Sequence, residues 1–143
     1  MKPCFWSAVG RLDRDSEGML LLTNDGEFAN KMMHPAKGVE KTYHVKIREP
    51  ITSEQLIKLN DSMVIDGYTI QPCRVRPLST DPTKLVFVLK EGRNRQIRKM
   101  CEQVGVQVAR LTRISIGAIS LGGLKSGTWV RLNKEQVDYL KSI

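Results

Sequence analysis

The sequence predicts a mixed α+β domain built on a largely antiparallel β-sheet with flanking helices. Strand-like segments outnumber helix-like ones, and the helices are not spaced as regular crossovers between parallel strands. A chain of 143 residues, 41% hydrophobic and 27% charged, is a single folded domain able to bury a real core. No internal repeat, low-complexity tract or linker divides it, so residues 1–143 are read as one domain.

In chain order, GMLLLT (18–23) reads as a buried strand closed by an Asn24-Asp25-Gly26 turn. Asp25 is placed to cap a short helix that runs through Met33 and stops at His34-Pro35. KTYHVKI (41–47) alternates with period two and reads as a strand. Thr52 or Ser53 caps a helix reaching about Met63. Short strands centre on VIDGYTI, CRVRPL and KLVFVLKEG, the last being the most β-like run in the chain. Residues 93–104 form a helix with Ile97, Met100, Cys101 and Val104 on one stripe, Arg98 at its border, and Arg95 and Lys99 away from it. ARLTRISIGAISL supplies one or two strands, Gly122-Gly123 a turn, and GTWVRL a last strand with Trp129 in the core. Asn133 caps a closing helix, KEQVDYLKSI.

Composition narrows the function. Lys and Arg number 23 against 15 acidic residues, a net charge of +8, and such a field concentrates polyanions such as nucleic acid. No run approaches the roughly 18 apolar residues of a membrane span, and the N-terminus carries no secretory signal pattern. Cys4, Cys73 and Cys101 are odd in number and far apart, which fits reduced thiols in a cytoplasmic protein. Two histidines and no cysteine pair argue against a zinc site, so no metal is expected.

Three segments carry chemistry. EGRNRQIRKM (91–100) places Arg93, Arg95, Arg98 and Lys99 at a strand–helix junction, against the helix macrodipole, which calls for a nearby anion. That anion is either a phosphate or a carboxylate of GRLDRDSEGMLLLTNDGE (10–27), where Asp13, Asp15 and Glu17 precede the apolar run. A carboxylate beside Arg98 stays ionised, as a nucleophile or general base must; on the residues alone a plain structural salt bridge is the preferred reading of the same pairing. Tyr43, between Lys41 and His44, is either a core tyrosine or a stacking platform for a nucleobase. His44 lies on the opposite face of the strand, in a structural or phosphate-facing position.

Together these segments resemble the ribosomal-RNA pseudouridine synthases of the RsuA/RluB/RluE/RluF group. GRLDRDSEGMLLLTNDGE is similar to that family's aspartate motif, KTYHV to its tyrosine motif and EGRNRQIRKM to its arginine motif; the tail LTRISIGAISLGGLKSGTWVRL follows its pattern too. The likeness runs from Val9 to near the C-terminus. It implies a pseudouridine synthase-like catalytic domain: a cofactor-free isomerase that flips a uridine out of ribosomal RNA and converts it to pseudouridine, with large-subunit RNA modestly favoured. The resemblance assigns catalysis to Asp13, Tyr43 and Arg98, with Arg98 pairing Asp13, and base displacement to Arg11. RNA contacts fall to Arg11, Lys41, Arg93, Asn94, Arg95, Gln96 and Lys99, while Asp15 and Glu17 become solvated loop residues. The family's N-terminal RNA-binding domain and the strand before its aspartate motif are not in the sequence. The implied partner is ribosomal RNA, with no membrane or metal, and the implied state a cytoplasmic monomer. The alternative is a non-catalytic RNA-binding module that keeps the fold; retention of Asp13, which a pure binder does not need, favours the enzyme.

Overall fold

A computed structural model describes residues 6–10, 12–33, 39–91 and 95–142. A six-stranded sheet holds the molecule together. Its path runs β10 (Ile119–Ser120), β9 (Val108–Ile116), β4 (Lys41–Ile47), β8 (Asp81–Leu89) and β7 (Arg74–Leu78), with β2 (Glu17–Gly18) joined to β9. Every pairing is antiparallel except β2 with β9, which is parallel. Two small ribbons complete the strands: β1 (Ser7–Ala8) with β3 (Leu22–Thr23), and the hairpin of β5 (Val64–Ile65) with β6 (Tyr68–Thr69). The hairpin turns at Asp66-Gly67, both in the left-handed region (φ 52° and 78°), the geometry that matches strand twist in a two-residue loop.

Caps fix the helices where side-chain chemistry anticipates them. Asp25 Oδ1 accepts from the Phe28 amide at 3.1 Å and starts α1 (Gly26–Met33). Thr52 and Gln55 close a reciprocal capping box on α2 (Ser53–Asn60). Asn133 and Gln136 do the same ahead of α4 (Lys134–Ser142), at 2.8 and 2.9 Å. α3 spans Gln96–Gln103 and buries Ile97, Met100 and Cys101, the apolar stripe expected of it. It starts later than residue 93; Arg95, at φ 53°, is the left-handed residue from which it springs.

The interior divides into two clusters. One packs Val45, Leu85, Phe87 and Leu111 of the sheet against Leu59 of α2 and Ile97, Met100 and Cys101 of α3. The other gathers Val9, Met19, Leu21, Ala29, Val39, Ile116, Ile119 and Leu140. The segment carrying Asp13 leaves the second cluster at Val9, returns to it at Met19, and meets α3 of the first cluster between those points.

α2 also ends at Asn60, short of Met63, and two strand expectations are corrected. GMLLLT is not one buried strand. Gly18 pairs with β9, Leu22 pairs with β1, and the chain changes partners between them. Met19 and Leu21 are buried while Leu20 and Leu22 are exposed, so the run is half-buried extended chain. GTWVRL forms no strand, and Trp129 and Val130 are 75% and 67% exposed rather than core. Gly127 (φ +79°) and the Thr128 amide, donating to the Lys125 carbonyl at 3.1 Å, turn the chain there. β-branched and aromatic residues form strand only where a neighbouring strand and a packed face receive them.

Candidate active site

Asp13 sits in a tight turn and is a third or less exposed. Its Oδ1 accepts from the Ser16 hydroxyl at 2.7 Å and from the Asp15 amide at 3.1 Å, and its backbone carbonyl accepts from the Ser16 amide at 3.1 Å. This is the self-bonding geometry that short acidic side chains adopt in turns. The carboxylate is thereby aimed by its own loop before any distant residue touches it.

Two arginines reach the loop from α3 and the residue before it. Arg95 Nη1 lies 3.7 Å from Asp13 Oδ1 and 3.1 Å from Asp15 Oδ2, bridging the two carboxylates. Arg98 Nη2 donates to the Asp15 carbonyl at 2.5 Å, and its Nε is buried without a partner among the described residues. The expected meeting of the arginine segment with the aspartate loop is present, with a different division of labour. Arg95 faces the Asp13 carboxylate; Arg98 grips backbone two residues on. Asp15 is therefore an anchor of the loop as well as an exposed side chain. Glu17, too, is engaged: its carboxylate accepts from Arg110 and from the Thr112 hydroxyl, and the Arg110 hydrogen bond holds its pKa below the usual value.

Tyr43 lies in β4, opposite Phe87 on one side and Arg113 on the other, half-buried against the first cluster. Arg113 in turn pairs with Gly18 of β2, so Tyr43, Arg113 and Gly18 form a row across three strands. Adjacent strands lie about 4.8 Å apart, which brings Tyr43 to within about 10 Å of the strand that follows Asp13. Lys41, on the same face of β4 as Tyr43, is half-buried; burial first and the Arg113 charge second depress its pKa. His44 points to the other face, its pKa lowered by burial and then by Arg76.

The remaining expected RNA contacts separate. Gln96 is only 4% exposed, its Nε2 directed to Glu91 at 3.4 Å, so its amide is engaged inside the protein rather than presented to a ligand. Lys99 forms an ion pair with Asp66 of the hairpin turn at 2.5 Å. Arg11, Arg93 and Asn94 lie outside the described residues. Among the described residues no cluster of three His, Cys, Asp or Glu is placed to hold a metal ion, and no helix is long and apolar enough to cross a membrane.

The sequence reading missed Arg113. It is 4% exposed, its Nε donates to the Met19 carbonyl at 2.9 Å, and its Nη2 is buried with no partner among the described residues. The signal was available: period two along LTRIS puts Arg113 on the inward face with Leu111, an unusual place for a cation.

Residues 2–103 match the RNA pseudouridylate synthase family, and with the sheet, the aspartate turn and the arginine helix in place the chain belongs to that family. A ribosomal large subunit pseudouridine synthase B of Bacillus subtilis (strain 168) is 39% identical over 139 residues, which span 94% of this chain and 57% of that protein. The protein of the same description from Yersinia pestis is 39% identical over 144 residues, 96% of this chain and 44% of the relative. The crystal structure of a pseudouridylate synthase matches the fold with a TM-score of 0.87 at 27% identity, covering 94% of this chain and 59% of that chain. The chain thus spans about half the length of the curated relatives it matches.

Proposed function

We propose that the protein isomerises uridine to pseudouridine in ribosomal RNA, with large-subunit RNA as the substrate. The observation that carries this reading is the Asp13 carboxylate. It is held on one oxygen by Ser16 and Asp15, faced by Arg95, and carried on a loop that Arg98 of α3 grips at Asp15. A stacked uridine cannot reach such a group, so the nucleotide is flipped out at a cost of a few kcal/mol. Tyr43 offers a ring for the extruded base, and the net charge of +8 draws the RNA backbone.

Asp13 acts at the ribose, either on the anomeric carbon as a nucleophile that is released when C5 bonds there, or on the neighbouring 2′ proton as a base that later returns it. The bond from C1′ to N1 breaks, the uracil rotates, C5 bonds to C1′, and the hydrogen on C5 leaves as a proton while N1 gains one. Atoms balance within one nucleotide, so the reaction needs no cofactor. The same reading places the protein in the cytoplasm as a monomer.

Tritium release from C5-labelled uridine in ribosomal-RNA transcripts tests the proposal. The chain should release tritium and its Asp13→Asn variant should not, while both bind RNA alike. Equal release from the two, or none from either, removes the enzyme reading and leaves an RNA-binding module.

A further inference from the structure

Arg113 is a buried guanidinium with no carboxylate beside it among the described residues. An unpaired buried charge is costly, so a fold keeps one only where something compensates. Here one nitrogen is bonded to the Met19 carbonyl, another has no partner among the described residues, and the charge is felt by the like-charged Lys41. Backbone contact is equally close. The Met19 amide donates to the Arg113 carbonyl at 2.8 Å, and any side chain at Gly18 would collide with that carbonyl. Arg98 does on the α3 side what Arg113 does on the β9 side. Each holds a backbone carbonyl of the Asp13 segment, at residues 15 and 19, and each keeps one buried donor unused.

We propose that Arg113 is a positioning residue for the isomerisation. Its buried charge ties the segment that follows Asp13 to β9, the strand that lies between it and the strand of Tyr43, and with Lys41 it keeps the reacting site cationic. The inference rests on the reading of Asp13 as the reacting carboxylate. A site so biased favours the negative charge that collects on the uracil as its bond to the ribose breaks, with no reorganisation needed at that moment. Arg113 itself is too enclosed to touch RNA, so it acts through the Met19 carbonyl and through its field.

Three variants test this: Arg113→Met, which keeps the bulk, Arg113→Lys, which keeps the charge, and Asp13→Asn. Arg113→Met should lower kcat for tritium release about a hundredfold while KM and RNA affinity move less than about threefold. Arg113→Lys should recover most of the rate near neutral pH and lose it as pH rises. A lysine buried there, facing Lys41 and Tyr43 of β4 and a backbone carbonyl of the Met19 segment, has a depressed pKa, whereas the native guanidinium stays charged. Wild-type kcat in Arg113→Met, or one pH profile shared by the Met and Lys variants, overturns the proposal. A second readout needs no turnover: NMR titration of the Lys41 ammonium should show its pKa rise in Arg113→Met, and no movement also overturns it. If Asp13→Asn retains full activity, the parent reading fails instead. An inactive Asp13→Asn beside a fully active Arg113→Met rejects Arg113 alone.

Discussion

Arg95 holds its guanidinium 3.7 Å from the Asp13 carboxylate and 3.1 Å from that of Asp15, and it does so from a left-handed backbone at φ 53°. A non-glycine residue in that region costs about 1 kcal/mol or more. The strain is tolerated because it turns the side chain back over the aspartate loop instead of out along α3. Arg95→Gly separates the two effects. Relief of the backbone offsets the extra freedom that glycine gives the unfolded chain, and the lost ion pairs are partly exposed and weak. Stability by urea unfolding should stay within about 1 kcal/mol of wild type, while tritium release falls at least about tenfold.

Gly18 gives the opposite result. It sits at φ +113°, where a β-carbon would fall inside the Arg113 backbone. Strain and collision act together in Gly18→Ala, and relief requires β2 to leave β9. Unfolding free energy should drop by about 3 kcal/mol or more, and the loss should carry activity with it, because the displaced strand is the one that anchors the Asp13 turn. A variant as stable as wild type would show that the β2–β9 contact is dispensable.

Local chemistry was readable where side chains bond to their own backbone. The Asp25, Thr52 and Asn133 caps and the stripe Ile97, Met100, Cys101 follow from spacing alone. What spacing could not show was which strand receives each extended run. MLLLT changes partners midway, and GTWVRL meets none. The site was legible as three segments, yet the contacts within it were not. Arg98 and Arg95 are three residues apart on neighbouring turns, and the left-handed entry to α3 decides which of them meets Asp13. Trp129, 75% exposed, shows the practical difference: Trp129→Gln should change stability by less than about 0.5 kcal/mol in urea unfolding, where a core tryptophan would cost several.

The two buried thiols impose an alkaline limit. Burial pushes Cys73 up to about 11 and Cys101 up to about 12, from an ordinary value of 9.0. Below about pH 8 both are protonated whether the chain is folded or not, so they contribute no pH dependence. Above it the unfolded chain releases protons that the folded protein retains. Stability should then fall by up to about 1.4 kcal/mol per pH unit for each thiol until the folded values are reached. Urea unfolding at pH 8 and at pH 10 measures the slope, and it should flatten when both cysteines are replaced by alanine. In the folded protein at pH 8 neither thiol should react with a disulfide reagent.

Arg98 and Asp15 distinguish a backbone grip from an ion pair. The Arg98 guanidinium bonds the carbonyl of Asp15, whereas the Asp15 carboxylate bonds Arg95. Asp15→Asn leaves the carbonyl in place and removes only a half-exposed charge. Its tritium release should stay within about fivefold of wild type. Arg98→Ala removes the grip and leaves the Asp13 turn to its own bonds with Ser16 and the Asp15 amide and to Arg95. A carboxylate displaced by about 1 Å loses about a hundredfold in rate, so Arg98→Ala should be severely impaired, with RNA affinity and its salt dependence little changed. Were affinity to fall in step with rate, Arg98 would be a phosphate contact. Were Asp15→Asn as damaging as Arg98→Ala, the acidic side chain rather than the carbonyl would be what holds the loop.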